Sequence, residues 1–211
     1  MIFLDRKSAG LKLAQRLNYL KNKNAVVLGL PRGGVPVAFE VAQEINAPLD
    51  VIVVRKLGVP FQPELAMGAV GEGGVIIRND QVIKMASITA DQFAKVQARE
   101  DQEVVNRARR FREGRSPVSL VGRLAIVVDD GIATGSTARA ACDVVRALGA
   151  EKVILAVPVG SQEAVSALSE KADEVIALEI PDNFFAVGEW YEDFTPVSDE
   201  DVIQLLRKSH K

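Results

Sequence analysis

Two acids stand side by side at Asp129 and Asp130. Gly131-Ile132-Ala133 follows them, then the small run Thr134-Gly135-Ser136-Thr137. Adjacent carboxylates repel each other and are costly together unless they bind cations or hydroxyl donors. Sugar hydroxyls and Mg²⁺ are therefore their natural partners. The backbone N–H groups of Ala133 to Thr137 have no strand to pair with, and Thr134, Ser136 and Thr137 add hydroxyls. With a helix starting behind it, such a turn wraps an anion at the positive end of the helix dipole. The chemistry these residues suit is a phosphate cradle with a carboxylate pair beside it.

Such a site needs a strand to deliver it and a helix to back it. Leu124 to Val128 is short, apolar and β-branched, which predicts a buried parallel strand. A helical pattern runs from the turn to Leu148 and stops at Gly149. The same grammar appears earlier in the chain. Ala25 to Leu30 predicts a strand, Pro31-Arg32-Gly33-Gly34 a loop, and Val35 to Ile45 a helix with Val37, Val41 and Ile45 on one face. Paired glycines let backbone approach a ligand closely and take positive φ, and Arg32 offers a fork of donors to phosphate oxygens. Neither G-x-G-x-x-G nor a Walker G-x-x-x-x-G-K-[ST] is present here. A further strand, Val51 to Val54, ends in Arg55-Lys56 and points positive charge at the same sheet edge. Lys152 to Val159 and Glu174 to Ile180 predict two more strands around a helix near Gln162 to Lys171. The expected fold is α/β, a five-stranded parallel sheet flanked by helices on both faces.

The remaining stretches sit around that frame. Ser8 to Leu20 predicts a helix, with Ser8 as N-cap and Leu13, Leu17 and Leu20 in one stripe. Phe61 to Val70 carries Glu64, and Gly71 to Gly74 turns into Val75 to Arg78. That glycine-rich hairpin reads as the most flexible part of the chain and as a lid that excludes water. Thr89 and Gln92 form a capping box for a long helix, Ala90 to Arg112, with Phe93, Val96, Val104, Ala108 and Phe111 inward. Arg107, Arg109, Arg110, Arg112 and Arg115 read as a solvated face favoured by the helix dipole. Aromatics gather between Phe184 and Phe194, and a short helix from Asp199 to Arg207 closes the chain. His210 at the end has no expected role.

The chain has 211 residues, enough for one domain, and at 48% hydrophobic it can fill a core. A net charge of −2 argues against a nucleic-acid surface or an anionic membrane surface. One cysteine, Cys142, excludes an internal disulfide and a cysteine metal cluster, and packing is its expected role. The opening MIFLDRKSAG has no long apolar run, and no stretch reaches the ~20 apolar residues of a membrane span. The expected location is cytoplasmic.

The stretch from Ile126 to Thr137, an apolar run into two acids and then Thr-Gly-x-Thr, resembles the signature of type I phosphoribosyltransferases. The resemblance implies that Asp129 and Asp130 hold the ribose hydroxyls of phosphoribosyl pyrophosphate (PRPP) and reach Mg²⁺, directly or through water. It implies that Ala133, Thr134, Gly135, Ser136 and Thr137 hold the 5′-phosphate. Pro31, Arg32, Gly33 and Gly34 match the loop that binds pyrophosphate in that family, often through a cis peptide. Arg32-Gly33 and Val54-Arg55-Lys56-Leu57-Gly58-Val59-Pro60 resemble stretches of adenine phosphoribosyltransferases, which implies that Arg55 and Lys56 meet the pyrophosphate. Ala133 stands where hypoxanthine-guanine enzymes carry an acid, which counts against a 6-oxopurine acceptor. Glu64 matches the carboxylate that adenine enzymes are thought to bring from a mobile loop.

With the terminal VGEWYEDF, the chain resembles over nearly its whole length a bacterial group of predicted phosphoribosyltransferases of unestablished acceptor. The implied layout is a single domain over residues 1–211. It has a helical insertion at 79–118 and a small hood at 181–211, where Phe185, Trp190 and Tyr191 are candidates to stack on the acceptor or simply to pack. The implied activity is Mg²⁺-dependent transfer of the 5-phosphoribosyl group to a nucleobase-like nitrogenous acceptor. The alternative is a PRPP or nucleotide sensor without transferase activity. A homodimer stays open.

Overall fold

The computed structural model describes residues 2–209, and His210 lies outside the described residues. In chain order, α1 (Arg6–Arg16) leads to β1 (Ala25–Gly29), α2 (Gly34–Ile45) and β2 (Leu49–Val51). Three antiparallel strands follow: β3 (Val54–Val59), β4 (Gln62–Gly71) and β5 (Val75–Arg78). Two helices come next, α3 (Asp80–Met85) and α4 (Ala90–Arg112). The chain continues through β6 (Leu124–Val128), α5 (Ser136–Ala147), β7 (Lys152–Val159), α6 (Gln162–Leu168) and β8 (Glu174–Glu179), and ends in α7 (Asp199–Ser209). No helix among the described residues is long and apolar enough to cross a membrane.

The apolar runs form one parallel sheet in the order β2-β1-β6-β7-β8, with Leu28 beside Val127 and Val127 beside Leu155. β1 is buried throughout, as a central parallel strand covered on both faces must be. Alternate residues serve opposite layers. Val27, Ile126 and Ile154 face α1, α2, α4 and α7, whereas Val26, Val127 and Leu155 face α5 and α6. Cys142 packs on the second side, where burial pushes its thiol up to about 12. Its role is packing, as expected.

Three local expectations are corrected. Helix α1 begins at Arg6, before the expected Ser8. Asp5 is its N-cap and accepts the Ser8 N–H at 2.6 Å, while Ser8 Oγ accepts the Asp5 N–H at 3.1 Å. The strand expected at 51–54 is two strands in different sheets. The chain leaves the large sheet after Val51, and the Val53 N–H turns to the Glu72 carboxylate at 2.8 Å. Arg55 and Lys56 therefore lie within β3 and not at the end of a central strand. The expected hairpin belongs to a three-stranded wing, β3-β4-β5, with α4 packed across β3 and β4. α3, capped by Asn79, was not expected.

Helix α4 has its expected bounds, its Thr89–Gln92 capping box and its inward stripe. Its last turn departs from the expected solvated face. Arg112 is buried and donates to Asp50 (2.8 Å), to Glu72 (2.6 Å) and to the Val51 carbonyl (2.8 Å). These bonds outweigh the burial that opposes its charge and hold the guanidinium pKa above its ordinary value. One side chain thus ties α4 to β2 and to the turn that ends β4.

Candidate active site

β6 delivers Asp129 and Asp130 to the carboxyl edge of the sheet, the usual place for ligands in open α/β folds. The following loop is fixed by the neighbouring β7. Ile132 N–H donates to Val159 O at 3.0 Å, Ser161 N–H to Ile132 O at 3.0 Å, and Ser161 Oγ to Ala133 O at 2.7 Å. The turn itself is open. Ala133, Thr134, Ser136 and Thr137 are exposed. Gly135 takes φ +69° at the N-cap of α5, and a Cβ there would lie 2.7 Å from Leu168 Cδ1. The N–H groups of Ala133, Thr134, Gly135 and Thr137 meet no acceptor among the described residues. Ser136 N–H reaches Thr134 Oγ1 at a marginal 3.5 Å. The first amide bonded back into the helix is that of Arg139, to Gly135 O at 2.8 Å. Unspent amides around a helix start make an anion site.

The loop after β1 lies directly against the acids. A Cβ on Gly34 would fall 2.5 Å from Val128 O and 2.8 Å from Asp129 Cα. Gly33 has an ordinary φ of −63°, and Gly34 is not among the positive-φ residues. The expected positive φ is thus corrected, because these glycines serve close approach between two loops. The Pro31–Arg32 peptide is cis. Arg32 extends outward, 3.8 Å from Asp199, which also holds Arg110 at 2.8 Å.

Asp129 Oδ1 accepts the Asp130 N–H at 2.9 Å. Burial, then the charge of Asp130, raises the Asp129 carboxyl well above the ordinary carboxylate range. Asp130 is held twice. Arg6 Nε donates to its Oδ2 at 2.8 Å, and the Tyr191 hydroxyl donates to its backbone carbonyl at 2.6 Å. Burial raises the Tyr191 phenol above its ordinary range, so it stays a neutral donor.

Tyr191 sits among Phe3 and Phe194, with ring centroids 5.6 and 5.1 Å away. Both termini build this cluster: Phe3 N–H donates to Trp190 O, and Glu192 N–H to Phe3 O, each at 2.8 Å. Its Val187 rests where a Gly131 Cβ would be, 2.5 Å away. The candidate hood residues differ in placement. Phe185 is 81% exposed, Trp190 is half-buried and Tyr191 is buried. Helix α7 lies apart from this cluster, on α2 and α4.

Of Arg55 and Lys56, the wing brings only Lys56 to the turn, while Arg78 at the end of β5 shares a second cavity with Ser136. Lys56 lines a cavity of about 240 Å³ with Ser136 and Thr137 and contacts Glu64 at 3.3 Å. Arg55 turns to α4 and bonds Glu100 at 2.9 Å. Glu64 projects into solvent from β4. No group of three or more metal-binding side chains is gathered among the described residues. Two hard carboxylates suit a Mg²⁺ that draws its other ligands from substrate and water.

A model of the phosphoribosyl transferase domain matches residues 6–193. The chain belongs to that family. Two Mycobacterium tuberculosis proteins, from strains CDC 1551 / Oshkosh and ATCC 25618 / H37Rv, are provisionally named phosphoribosyl transferases. Each is 55% identical over 210 residues, covering 100% of this chain and 47% of the relative. The chain thus spans about half the length of these relatives. The crystal structure of TT1426 from Thermus thermophilus is 45% identical, covers 99% of both chains and superposes with a TM-score of 0.89. The AQ2163 protein of Aquifex aeolicus, 13% identical, covers 87% of this chain and 78% of its own at a TM-score of 0.52, a likeness of fold alone.

Two site features of this phosphoribosyl transferase domain escape a reading of the sequence. Arg6 looks like one more cation on a packing helix. Its signal is its place at the head of the buried stripe Ala9, Leu13, Leu17. Tyr191 looks like a stacking ring, and only the fold reveals its hydroxyl on the acid loop.

Proposed function

We propose that this domain transfers the 5-phosphoribosyl group of PRPP to a nitrogenous, nucleobase-like acceptor and releases pyrophosphate, with Mg²⁺. The observation that carries the reading is the open turn at 133–137, four of its five amides unspent among the described residues, beside the acid pair. The turn takes the 5′-phosphate, and Asp129 and Asp130 take the ribose hydroxyls. Anchoring at both places fixes the anomeric carbon, so binding remote from the bond that breaks orients it. As that bond breaks, negative charge grows on the leaving pyrophosphate. The loop at 31–34 and Lys56 meet that charge. The Arg32–Asp199 contact is loose and half-exposed, so exchanging it for phosphate oxygens costs little. Arg55, neutralised by Glu100, braces the wing instead. Asp129 and Asp130 would hold Mg²⁺, which would supply further neutralisation of the charge on the pyrophosphate. Glu64 on the wing is the carboxylate available to the acceptor's proton. A cytoplasmic setting belongs to the same reading.

A binding-only reading, in which PRPP or a nucleotide is sensed without transfer, is favoured by one observation. Glu64 stands in solvent with Lys56 as its partner. Pyrophosphate release from PRPP and Mg²⁺, measured across a panel of nucleobases and amines, separates the two. Release that depends on one acceptor supports transfer, and tight PRPP binding without release for any acceptor supports sensing. Asp129→Asn with Asp130→Asn should abolish Mg²⁺-dependent PRPP binding and leave the fold intact. Unchanged affinity in that double variant would overturn the site assignment.

A further inference from the structure

We propose that Arg6 is a positioning residue for the ribose site, aiming Asp130 and linking that aim to the aromatic cluster of the two termini. The inference rests on the reading of Asp130 as a ribose ligand. Three contacts converge on one guanidinium. Nε donates to Asp130 Oδ2 at 2.8 Å, Nη1 donates to the Thr195 carbonyl at 2.8 Å, and the plane lies 3.9 Å from the centre of the Phe194 ring. Both the Arg6 and the Asp130 side chains are largely buried, at 11% and 14% exposure, so this pair is shielded from the screening that weakens surface ion pairs.

The geometry leaves Asp130 little freedom. Its carbonyl is held by the Tyr191 hydroxyl, its Oδ2 by Arg6, and Gly33 closes in behind Oδ2. Oδ1 then remains as the acceptor for a sugar hydroxyl. Arg6 also offsets the repulsion between the two acids, as its charge acts on Asp129 as well. Phe194 and Thr195 belong to the same terminal segment as Tyr191, which holds the Asp130 carbonyl, so a shift of that segment moves the guanidinium and, through it, the carboxylate. Lysine cannot replace this arrangement, since a point charge lacks the planar fork that meets Asp130 and Thr195 while stacking on a ring.

The test compares two probes on the full chain by calorimetry without Mg²⁺. Inorganic phosphate reports the phosphate-binding loops without the acids, and ribose 5-phosphate reports the turn together with the acids. Wild type should bind ribose 5-phosphate more tightly than phosphate. Absence of that preference would overturn the ribose site itself, and this inference with it. Given the preference, Arg6→Gln should weaken ribose 5-phosphate about tenfold, the scale of one charge-assisted hydrogen bond, and leave phosphate binding unchanged. Arg6→Lys should recover part of the loss. Equal affinity of wild type and Arg6→Gln for ribose 5-phosphate would overturn the positioning role and leave the ribose site standing. A parallel fall for both probes would show a merely structural residue and also overturn it. Phe194→Leu keeps the charge and removes the ring face. It should show the same selective loss at smaller size, and a loss shared by both probes would again count against the proposal.

Discussion

A Cβ on Gly33 would lie 2.0 Å from Oδ2 of Asp130. The two loops proposed to hold pyrophosphate and ribose therefore touch, with no room for a methyl group between them. Gly33→Ala should push the Asp130 carboxylate against Arg6. PRPP affinity should fall tenfold or more, about 1.4 kcal/mol, when titrated with Mg²⁺ present. An unchanged affinity would mean that Asp130 turns freely and that the contact has no role in binding.

Arg112→Ala should be among the most destabilising single changes in the chain. It leaves Asp50 and Glu72 buried without their cation, which costs about 3–5 kcal/mol, read from urea unfolding. Arg112→Lys should recover less than half, because three separate acceptors need a fork. Adding Asp50→Asn and Glu72→Gln to an Arg112→Met chain should restore part of the loss, since no unpaired buried charge then remains.

The raised Asp129 carboxyl makes stability depend on pH in a definite direction. Its folded pKa lies above its unfolded value, so between the two the native protein holds the proton more tightly than the unfolded chain. The stability of the metal-free protein should fall as pH rises from the ordinary carboxylate value through the folded pKa. Asp129→Asn keeps an oxygen for the Asp130 N–H and removes the charge. It should melt higher than wild type at neutral pH, with the gain vanishing near about pH 4. A gain equal at both pH values would assign the effect to packing.

Phe185 projects from the terminal segment with 81% of its surface exposed. Phe185→Ala should change stability by less than about 0.5 kcal/mol, as for other surface positions. If its ring stacks on the acceptor, KM for the acceptor should rise severalfold while KM for PRPP holds. Equal kinetics in variant and wild type would remove Phe185 from the acceptor site.

The large sheet was legible because its strands are buried on both faces, so Ala25–Gly29, Leu124–Val128 and Lys152–Val159 read as continuous apolar runs. The turn at 133–137 was legible because its residue types are dictated by backbone geometry. Helix α4 announced its start through Thr89 and Gln92. The wing was harder to read. β4 carries Pro63, Glu64 and several small residues in a half-exposed strand with no clean alternation. Arg112 was hidden among similar neighbours, because its partners Asp50 and Glu72 lie 62 and 40 residues away. The clue was its place on the stripe of Val104, Ala108 and Phe111. Residue type suggested solvent there, while helical phase pointed inward.

The way Gly71 seats on helix α5 bears on how substrates reach the cradle. A Cβ at Gly71 would lie 2.4 Å from Val144 Cγ2, and the adjoining Glu72 is clamped by Arg112. The root of the wing is thereby bolted to the domain, and swinging it out whole would break these contacts. The far tip, around Pro60 to Pro63, is exposed, and Phe61 stands in solvent. Any opening of the wing over the cradle must then come from bending of its strands beyond this seam, with the root left in place.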